Sequence, residues 1–67
     1  MEITVNNRKE TFETDKLTLQ ELIEKKGYTF KMLVTKINGK LIKKEARKDC
    51  YVNDGDNVTV LHLVSGG

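Results

Sequence analysis

The sequence contains no proline and no tryptophan, and its one cysteine is Cys50. A single cysteine forms neither an internal disulfide nor a four-cysteine metal site, so the fold does not require an oxidising compartment. No apolar run approaches the ~18 residues that a membrane-spanning helix needs. No basic segment followed by an apolar one opens the chain, as a secretion signal would. We therefore expect a cytoplasmic protein with no part in a membrane.

The chain is short, with 67 residues. A domain of this size buries only ~60% of the surface that its unfolded chain exposes. Most of its apolar side chains are therefore needed for packing, and few remain to build a deep catalytic cleft. We expect a single domain over residues 1–67 that acts as a binding or carrier module rather than as a self-contained enzyme.

Charge is nearly balanced over the whole chain but not locally. The net charge of +2 is too small to indicate nucleic-acid binding. The stretch between Lys36 and Lys48 is strongly basic, with Glu45 as its one acidic residue, and no aromatic side chains are interleaved for base stacking. Nucleic acid is therefore not an expected partner. The stretch is either a solvated face that keeps sheet edges apart or a surface that steers an acidic partner.

The first thirteen residues predict a β-hairpin. Apolar Ile3 and Val5 alternate with polar neighbours, which is the period of a strand. A turn is expected over residues 6–9, because Asn6 and Asn7 tolerate left-handed backbone angles. A second strand over residues 11–13 completes the hairpin.

A short helix follows, and its start is marked clearly. Thr18 and Glu21 have the spacing of a capping box, in which each side chain accepts a hydrogen bond from the other's free backbone N–H. Leu17 and Leu22 flank the cap as a hydrophobic staple. Gly27 provides a left-handed stop about eight residues later.

The second half of the chain reads as further strands. Asn38-Gly39 is a strong signal for a tight hairpin turn. Residues 57–64 carry apolar side chains at both parities, which predicts a central strand covered on both faces. The other elements expected here are strands over residues 32–37, 40–42 and 50–52 and a turn over residues 54–56. One helix packed across a mixed sheet, an α+β fold, is the economical architecture for this order.

Three segments, together with this order of elements, carry a resemblance to a known family. They are Ile37-Asn38-Gly39, the turn over residues 53–56, and the ending Leu63-Val64-Ser65-Gly66-Gly67. The chain resembles the ThiS/MoaD sulfur carriers, and most closely the short ThiS type, over its whole length. The resemblance implies a ubiquitin-like β-grasp fold with a flexible Gly-Gly tail over residues 65–67.

The resemblance also implies a chemistry for the tail. An ATP-dependent, E1-like enzyme would adenylate the Gly67 carboxylate, and sulfur transfer would convert it to a thiocarboxylate. Ser65 and Gly66 would thread through a narrow slot of that enzyme, since glycine has no Cβ to clash there. The ATP would belong to the partner enzyme, and the carrier would bind no cofactor. A sulfur donor protein and a thiazole synthase-like acceptor are the other implied partners.

Few other residues suggest a site. Exposed apolar side chains of the final strand, on the face away from the helix, are expected to dock the activating enzyme, with His62 and Val64 as candidates. His62 has no acidic or cysteine partner near it in the sequence, so it is not expected to act as a general base. Cys50 is expected to be a small buried hydrophobe. Asp54 and Asp56 are expected to be turn residues, since calcium and magnesium need more oxygen ligands.

The resemblance to the short ThiS type implies a sulfur carrier of thiamine thiazole biosynthesis, and four alternatives remain open at this point. The chain could be the small subunit of a molybdopterin synthase, or a sulfur carrier for another pathway. It could be a ubiquitin-like modifier whose Gly67 forms an isopeptide bond with lysine. It could also be a non-covalent β-grasp interaction domain, in which case deletion of Gly66 and Gly67 would leave function intact.

Overall fold

The computed structural model describes residues 1–28 and 32–62. No helix in these ranges is long and apolar enough to cross a bilayer. The elements are, in chain order, the strands β1 (Glu2–Val5), β2 (Arg8–Thr11) and β3 (Leu17–Thr18), the helix α1 (Leu19–Lys25), the strands β4 (Leu33–Ile37) and β5 (Lys40–Ile42), a 3-10 helix (Lys44–Ala46), and the strands β6 (Tyr51–Val52) and β7 (Asn57–His62).

The first hairpin is tighter than its sequence predicted. Asn6 and Asn7 both adopt positive φ angles, 50° and 68°. Two consecutive residues of this kind form a type I′ turn, which joins strands directly. Val5 therefore pairs with Arg8, and β2 begins inside the range predicted as turn. The predicted hairpin is confirmed, but its second strand is Arg8–Thr11 rather than residues 11–13.

Five of the described strands form a mixed sheet in the order β2-β1-β7-β4-β5. The middle strand, β7, is parallel to β1 and antiparallel to β4. The short strands β3 and β6 pair separately, next to the start of α1. The helix packs across the sheet, so the predicted α+β architecture is confirmed.

The two faces of β7 differ, which corrects the expectation that both are covered. Val58 and Val60 are buried with the helix residues, whereas Leu61 on the opposite face is 48% exposed. The core lies entirely on the helix side of the sheet. Its buried members are Ile3, Val5, Leu17, Leu19, Leu22, Ile23, Val52, Val58 and Val60.

The capping box predicted for α1 is present. The Glu21 N–H donates to Thr18 Oγ1 at 3.0 Å, and the Thr18 N–H donates to Glu21 Oε1 at 2.9 Å. Hydrogen bonds from Thr18 to the Glu21 carboxyl hold its pKa below the usual 4.5. The bond from the Thr18 backbone contributes most, and the bond from its side chain contributes less. Leu17 and Leu22 are both buried, as the hydrophobic staple requires. Gly27 follows the helix at φ 71°.

Loss of the cap should weaken the whole fold, since a helix this short persists only through its caps and its packing. We expect Thr18→Ala to lower the free energy of unfolding by about 1 kcal/mol, measured by urea denaturation. Thr18→Ser keeps the hydroxyl and should retain most of the stability. Equal losses in the two variants would mean that the methyl group, and not the hydrogen bond, is what matters.

Candidate functional site

The site predicted from the sequence lies at the end of β7. Val64, Ser65, Gly66 and Gly67 fall outside the described residues, and His62 is the last described residue before them. The described part of the site is therefore the end of β7 at His62 and the sheet around it.

On one flank, β7 is held by β4. Leu61 pairs with Val34 and His62 pairs with Leu33, so β4 begins where β7 ends. β4 is in turn paired with β5, with Thr35 opposite Ile42. The last described residue of β7 is thus aligned with the first residue of β4.

On the other flank, β1 is too short to cover the end of β7, and a side chain extends it. The Asn6 N–H donates to the Val58 carbonyl at 2.9 Å, as a strand residue would. The Asn6 side chain then donates from Nδ2 to the Val60 carbonyl at 3.0 Å and accepts from the Val60 N–H at 2.8 Å. One amide side chain therefore satisfies both backbone groups of Val60.

Arg47 is part of the interior and not of the basic surface to which the sequence assigned it. Its side chain is only 7% exposed. Nε donates to Thr35 Oγ1 at 3.0 Å, and Nη2 donates to the Leu33 carbonyl at 2.7 Å. The Thr35 hydroxyl in turn donates a hydrogen bond to the Ile42 carbonyl at 2.8 Å. Arg47 thus contacts β4 at Leu33, which lies opposite the last described residue of β7.

The remaining basic residues of that stretch do lie at the surface. Lys40, Lys43, Lys44 and Lys48 are exposed, and Lys36 is half-buried. Within the described ranges, none of them lies within 4.0 Å of a carboxylate oxygen; the ion pair found there joins Lys26 to Glu10. These lysines are therefore available for contact with an acidic partner or with solvent.

The sheet face away from the helix carries an apolar patch, which we call the open-face patch and define as Val34, Leu41 and Leu61. Leu61 lies directly opposite Val34, and Leu41 lies diagonally across from Val34 on β5. Leu41 is 56% exposed and Leu61 is 48% exposed. Lys36 and Thr59 complete this part of the face, since Lys36 pairs with both Thr59 and Leu41.

His62 does not belong to this face, which corrects its predicted placement. Side chains alternate along a strand, so His62 has the parity of buried Val58 and Val60. It is exposed because it lies beyond the end of the core. The exposed apolar residue of β7 on the face away from the helix is Leu61. Val64 lies outside the described residues.

The acidic residues near β7 serve the turn, as the sequence predicted. Asp54 Oδ1 accepts from the Glu2 N–H at 2.7 Å. Asp56 accepts from the Asn53 N–H at 2.8 Å and from Asn38 Nδ2 at 3.0 Å. Gly55 adopts φ 86°, which its lack of a Cβ permits.

Cys50 is half-buried rather than fully buried as expected. Its carbonyl accepts from the Leu19 N–H at 2.8 Å. The backbone at Cys50 therefore satisfies one of the free N–H groups at the start of α1.

Sequence reasoning missed three residues that matter here. Asn6 was read only as a turn residue, and its bonds to Val60 depend on a parallel pairing that no local pattern shows. Arg47 was counted with its charged neighbours, because its burial depends on where β5 ends relative to β4, which the local sequence does not show. Leu61 was assigned to a fully covered strand, since its apolar neighbours mask the alternation.

Comparison with known proteins supports the architecture. A model of the ThiS family matches residues 1–67. The chain is similar to the crystal structure of a thiamine biosynthesis protein (ThiS) from Geobacter metallireducens, with 29% identity, a TM-score of 0.89 and 100% of both chains covered. It is also similar to an NMR solution structure of a thiamine biosynthesis protein from that organism, with 28% identity, a TM-score of 0.77, and 100% of this chain and 88% of that chain covered. No curated protein matches.

The sheet order, the parallel central pair and the packed helix define a ubiquitin-like β-grasp protein. That class supports many functions, so the fold alone does not name one. Within it, the chain belongs to the ThiS family, because the family model matches all of residues 1–67.

The bonds from Asn6 to Val60 can be tested with a matched pair of glycine variants. Asn6→Gly keeps the positive φ angle but leaves the Val60 N–H and carbonyl without their partners. We expect it to lower the free energy of unfolding by about 1–3 kcal/mol. Asn7→Gly alters the same turn without touching β7 and should change stability by less than about 0.5 kcal/mol. Similar losses in both variants would assign the effect to the turn instead.

Proposed function

We propose that this protein is a sulfur carrier of thiamine biosynthesis whose working group is the Gly67 carboxylate. The observation that carries the proposal is the match of the ThiS family model to residues 1–67, which includes the Gly-Gly ending. The similarity to the Geobacter ThiS structure over 100% of both chains supports the same pathway. The carrier would act as a co-substrate of other enzymes rather than as an enzyme itself.

The chemistry follows from the poor reactivity of a carboxylate. A Gly67 carboxylate oxygen attacks the α-phosphorus of ATP on an E1-like enzyme, and pyrophosphate leaves. The terminal sulfur of a donor persulfide then attacks the acyl carbon and expels AMP. Cleavage of the resulting S–S bond by a thiol reductant leaves the thiocarboxylate. A thiazole synthase-like enzyme would accept its sulfur.

The structure supports a division of labour between body and tail. In the described residues the sheet packs against the helix, and every buried side-chain nitrogen and oxygen there has a hydrogen-bond partner. The strand that leads to the tail, β7, is the central strand of this sheet. The body can therefore dock on a partner enzyme while the residues after His62 extend towards that enzyme's active site.

The direct test is the intact mass of the protein isolated from its own cells under thiol-free, non-alkaline conditions. We expect a fraction in which sulfur replaces one oxygen, mapped to Gly67 and blocked by alkylation. Gly66→Val should prevent adenylation while the circular dichroism spectrum stays unchanged, since a Cβ would obstruct the narrow slot around the tail. Deletion of Gly67 is the matched negative control.

Other outcomes point elsewhere. A free carboxylate that persists after incubation with ATP, a sulfur source and the host's activating enzymes would refute the carrier role. Conjugates to lysine in cell extracts would indicate a protein modifier. Normal activation of Gly66→Val would refute the threading argument alone.

The open-face patch is the proposed docking surface for the activating enzyme. Exposed neighbouring apolar side chains are typical of protein interaction sites, and Leu61 lies one residue before the end of the described sheet. The lysines around the patch, Lys36 on the same face and Lys40 and Lys43 on or next to β5, would steer an acidic partner towards it.

Leu61 and His62 form a natural matched pair for a docking test. They are adjacent and exposed, and they lie on opposite faces of β7. We expect Leu61→Asp to raise the KM of adenylation for the carrier by about tenfold or more, because a buried, unpaired carboxylate is costly at an interface. His62→Asp should change KM much less. The reverse ranking would move the docking surface to the helix face. Pyrophosphate exchange measures both variants.

A further inference from the structure

Arg47 stands out as a buried cation without an ionic partner in the described part of the chain. It is 7% exposed, and no carboxylate of the described residues lies within 4.0 Å of it. A buried guanidinium loses its hydration, so its retention requires strong hydrogen bonds instead. Arg47 makes them to Thr35 Oγ1 and to the Leu33 carbonyl. The sequence around it offers no reason for burial of a charge, which raises the question of what the side chain does.

The hydrogen-bond pattern of antiparallel strands explains why the Leu33 carbonyl needs a donor from a side chain. Opposite residues alternate between pairs that exchange backbone hydrogen bonds and pairs that do not. The Asn38 N–H donates to the Asn57 carbonyl, which sets the phase of the β4–β7 ladder. Counting from Asn38 and Asn57, Leu33 and His62 are a pair that exchanges no backbone hydrogen bonds. The Leu33 carbonyl therefore points away from β7, towards the β5 side.

At that position β5 has already ended. Its last residue, Ile42, pairs with Thr35, and the chain then turns into the 3-10 helix. The backbone N–H that would have bonded the Leu33 carbonyl is therefore missing from the sheet. Arg47 Nη2 supplies the donor at 2.7 Å. A side chain thus completes the ladder at the first residue of β4.

The other end of Arg47 is fixed to the body of the protein. The Arg47 carbonyl accepts from the Gln20 N–H at 3.1 Å, in the first turn of α1. Its own N–H donates to the Lys44 carbonyl at 3.3 Å within the 3-10 segment. Arg47 therefore links the start of the helix to the first residue of β4, which pairs with the last described residue of β7.

We propose that Arg47 is a positioning residue that fixes the first residue of β4 against the last described residues of β7 and so orients the C-terminal residues that follow them. The proposal rests on the proposed carrier function, in which the tail must reach an enzyme's active site while the body is docked. Arg47 touches no reacting group. It acts through Leu33 and through the pairing of β4 with the last residues of β7.

The structural half of the proposal is tested by amide hydrogen exchange on the isolated protein. Val34 and Leu61 form the next hydrogen-bonded pair of the ladder, so their amides report on its end. In Arg47→Met we expect both amides to exchange about tenfold faster than in the wild type. This is the change expected when a hydrogen bond from a charged donor no longer stabilises the closed state. The Thr4 amide, bonded to the Asp56 carbonyl, and the Lys26 amide, bonded to the Leu22 carbonyl, should not change.

Two further variants separate local from general effects. Lys48→Met removes a neighbouring charge that is exposed and should leave every amide unchanged. Arg47→Lys keeps the charge but has one ammonium in place of the guanidinium fork, so it can restore one of the two bonds and should give an intermediate result. It also serves if Arg47→Met does not fold. Uniform acceleration at all amides, or none at Val34 and Leu61, would overturn the proposal.

The functional half is tested by the kinetics of adenylation with the activating enzyme. Docking through the open-face patch is untouched, so Arg47→Met should keep KM within about twofold while kcat falls by about tenfold, as expected for a misdirected reacting group. A rise in KM with unchanged kcat would overturn the positioning role. If the wild-type protein is not adenylated at all, the carrier function fails, and hydrogen exchange still decides whether Arg47 anchors the sheet end.

Discussion

The fold depends on the pairing of the last described strand with the first one. β7 enters the sheet parallel to β1, with Val58 beside Val5, and this joins residues from opposite ends of the chain. The contact is brief, and β4 completes the other flank of β7. Because β7 lies between β1 and β4, the helix must cross the sheet to connect the β1–β2 hairpin to β4 on the other side of β7. The core then fills the space between the helix and the sheet. The last described strand therefore lies at the centre of the sheet rather than at an edge.

A central strand carries a cost at its ends, because both of its flanks need backbone partners. β1 stops at Val5 and β5 stops at Ile42, before the end of β7 and the start of β4 are covered. Two side chains fill these gaps: Asn6 bonds both backbone groups of Val60, and Arg47 bonds the carbonyl of Leu33. The sheet is thus extended towards the tail by side chains and not by longer strands. In a chain of 67 residues, this keeps the end of β7 ordered with few added residues.

Local chemistry decided which elements the sequence could predict. The capping box at Thr18, the turn at Asn38-Gly39 and the stop at Gly27 depend only on neighbouring residues, and all three were found in advance. The covering of β7 was misjudged, because alternation is hidden when leucine and valine occupy both faces. The burial of Arg47 depends on where β5 ends relative to β4, which no pattern along the chain contains. The predicted site itself, from Val64 to Gly67, lies outside the described residues.

The same constraint explains why body and tail can have separate tasks. A tail that enters another enzyme's active site cannot also contribute much to its own fold, so the body must define the exit without the tail's help. His62 pairs with Leu33, and hydrogen bonds of Arg47 connect Leu33 to the start of α1, so the last described residue of β7 is tied to the body of the protein. The open-face patch lies on the opposite side of the sheet from this anchor, since the core and Arg47's partner Thr35 are on the helix side. The proposed docking surface and the proposed positioning residue therefore lie on different faces of the sheet, so each can be substituted without altering the other.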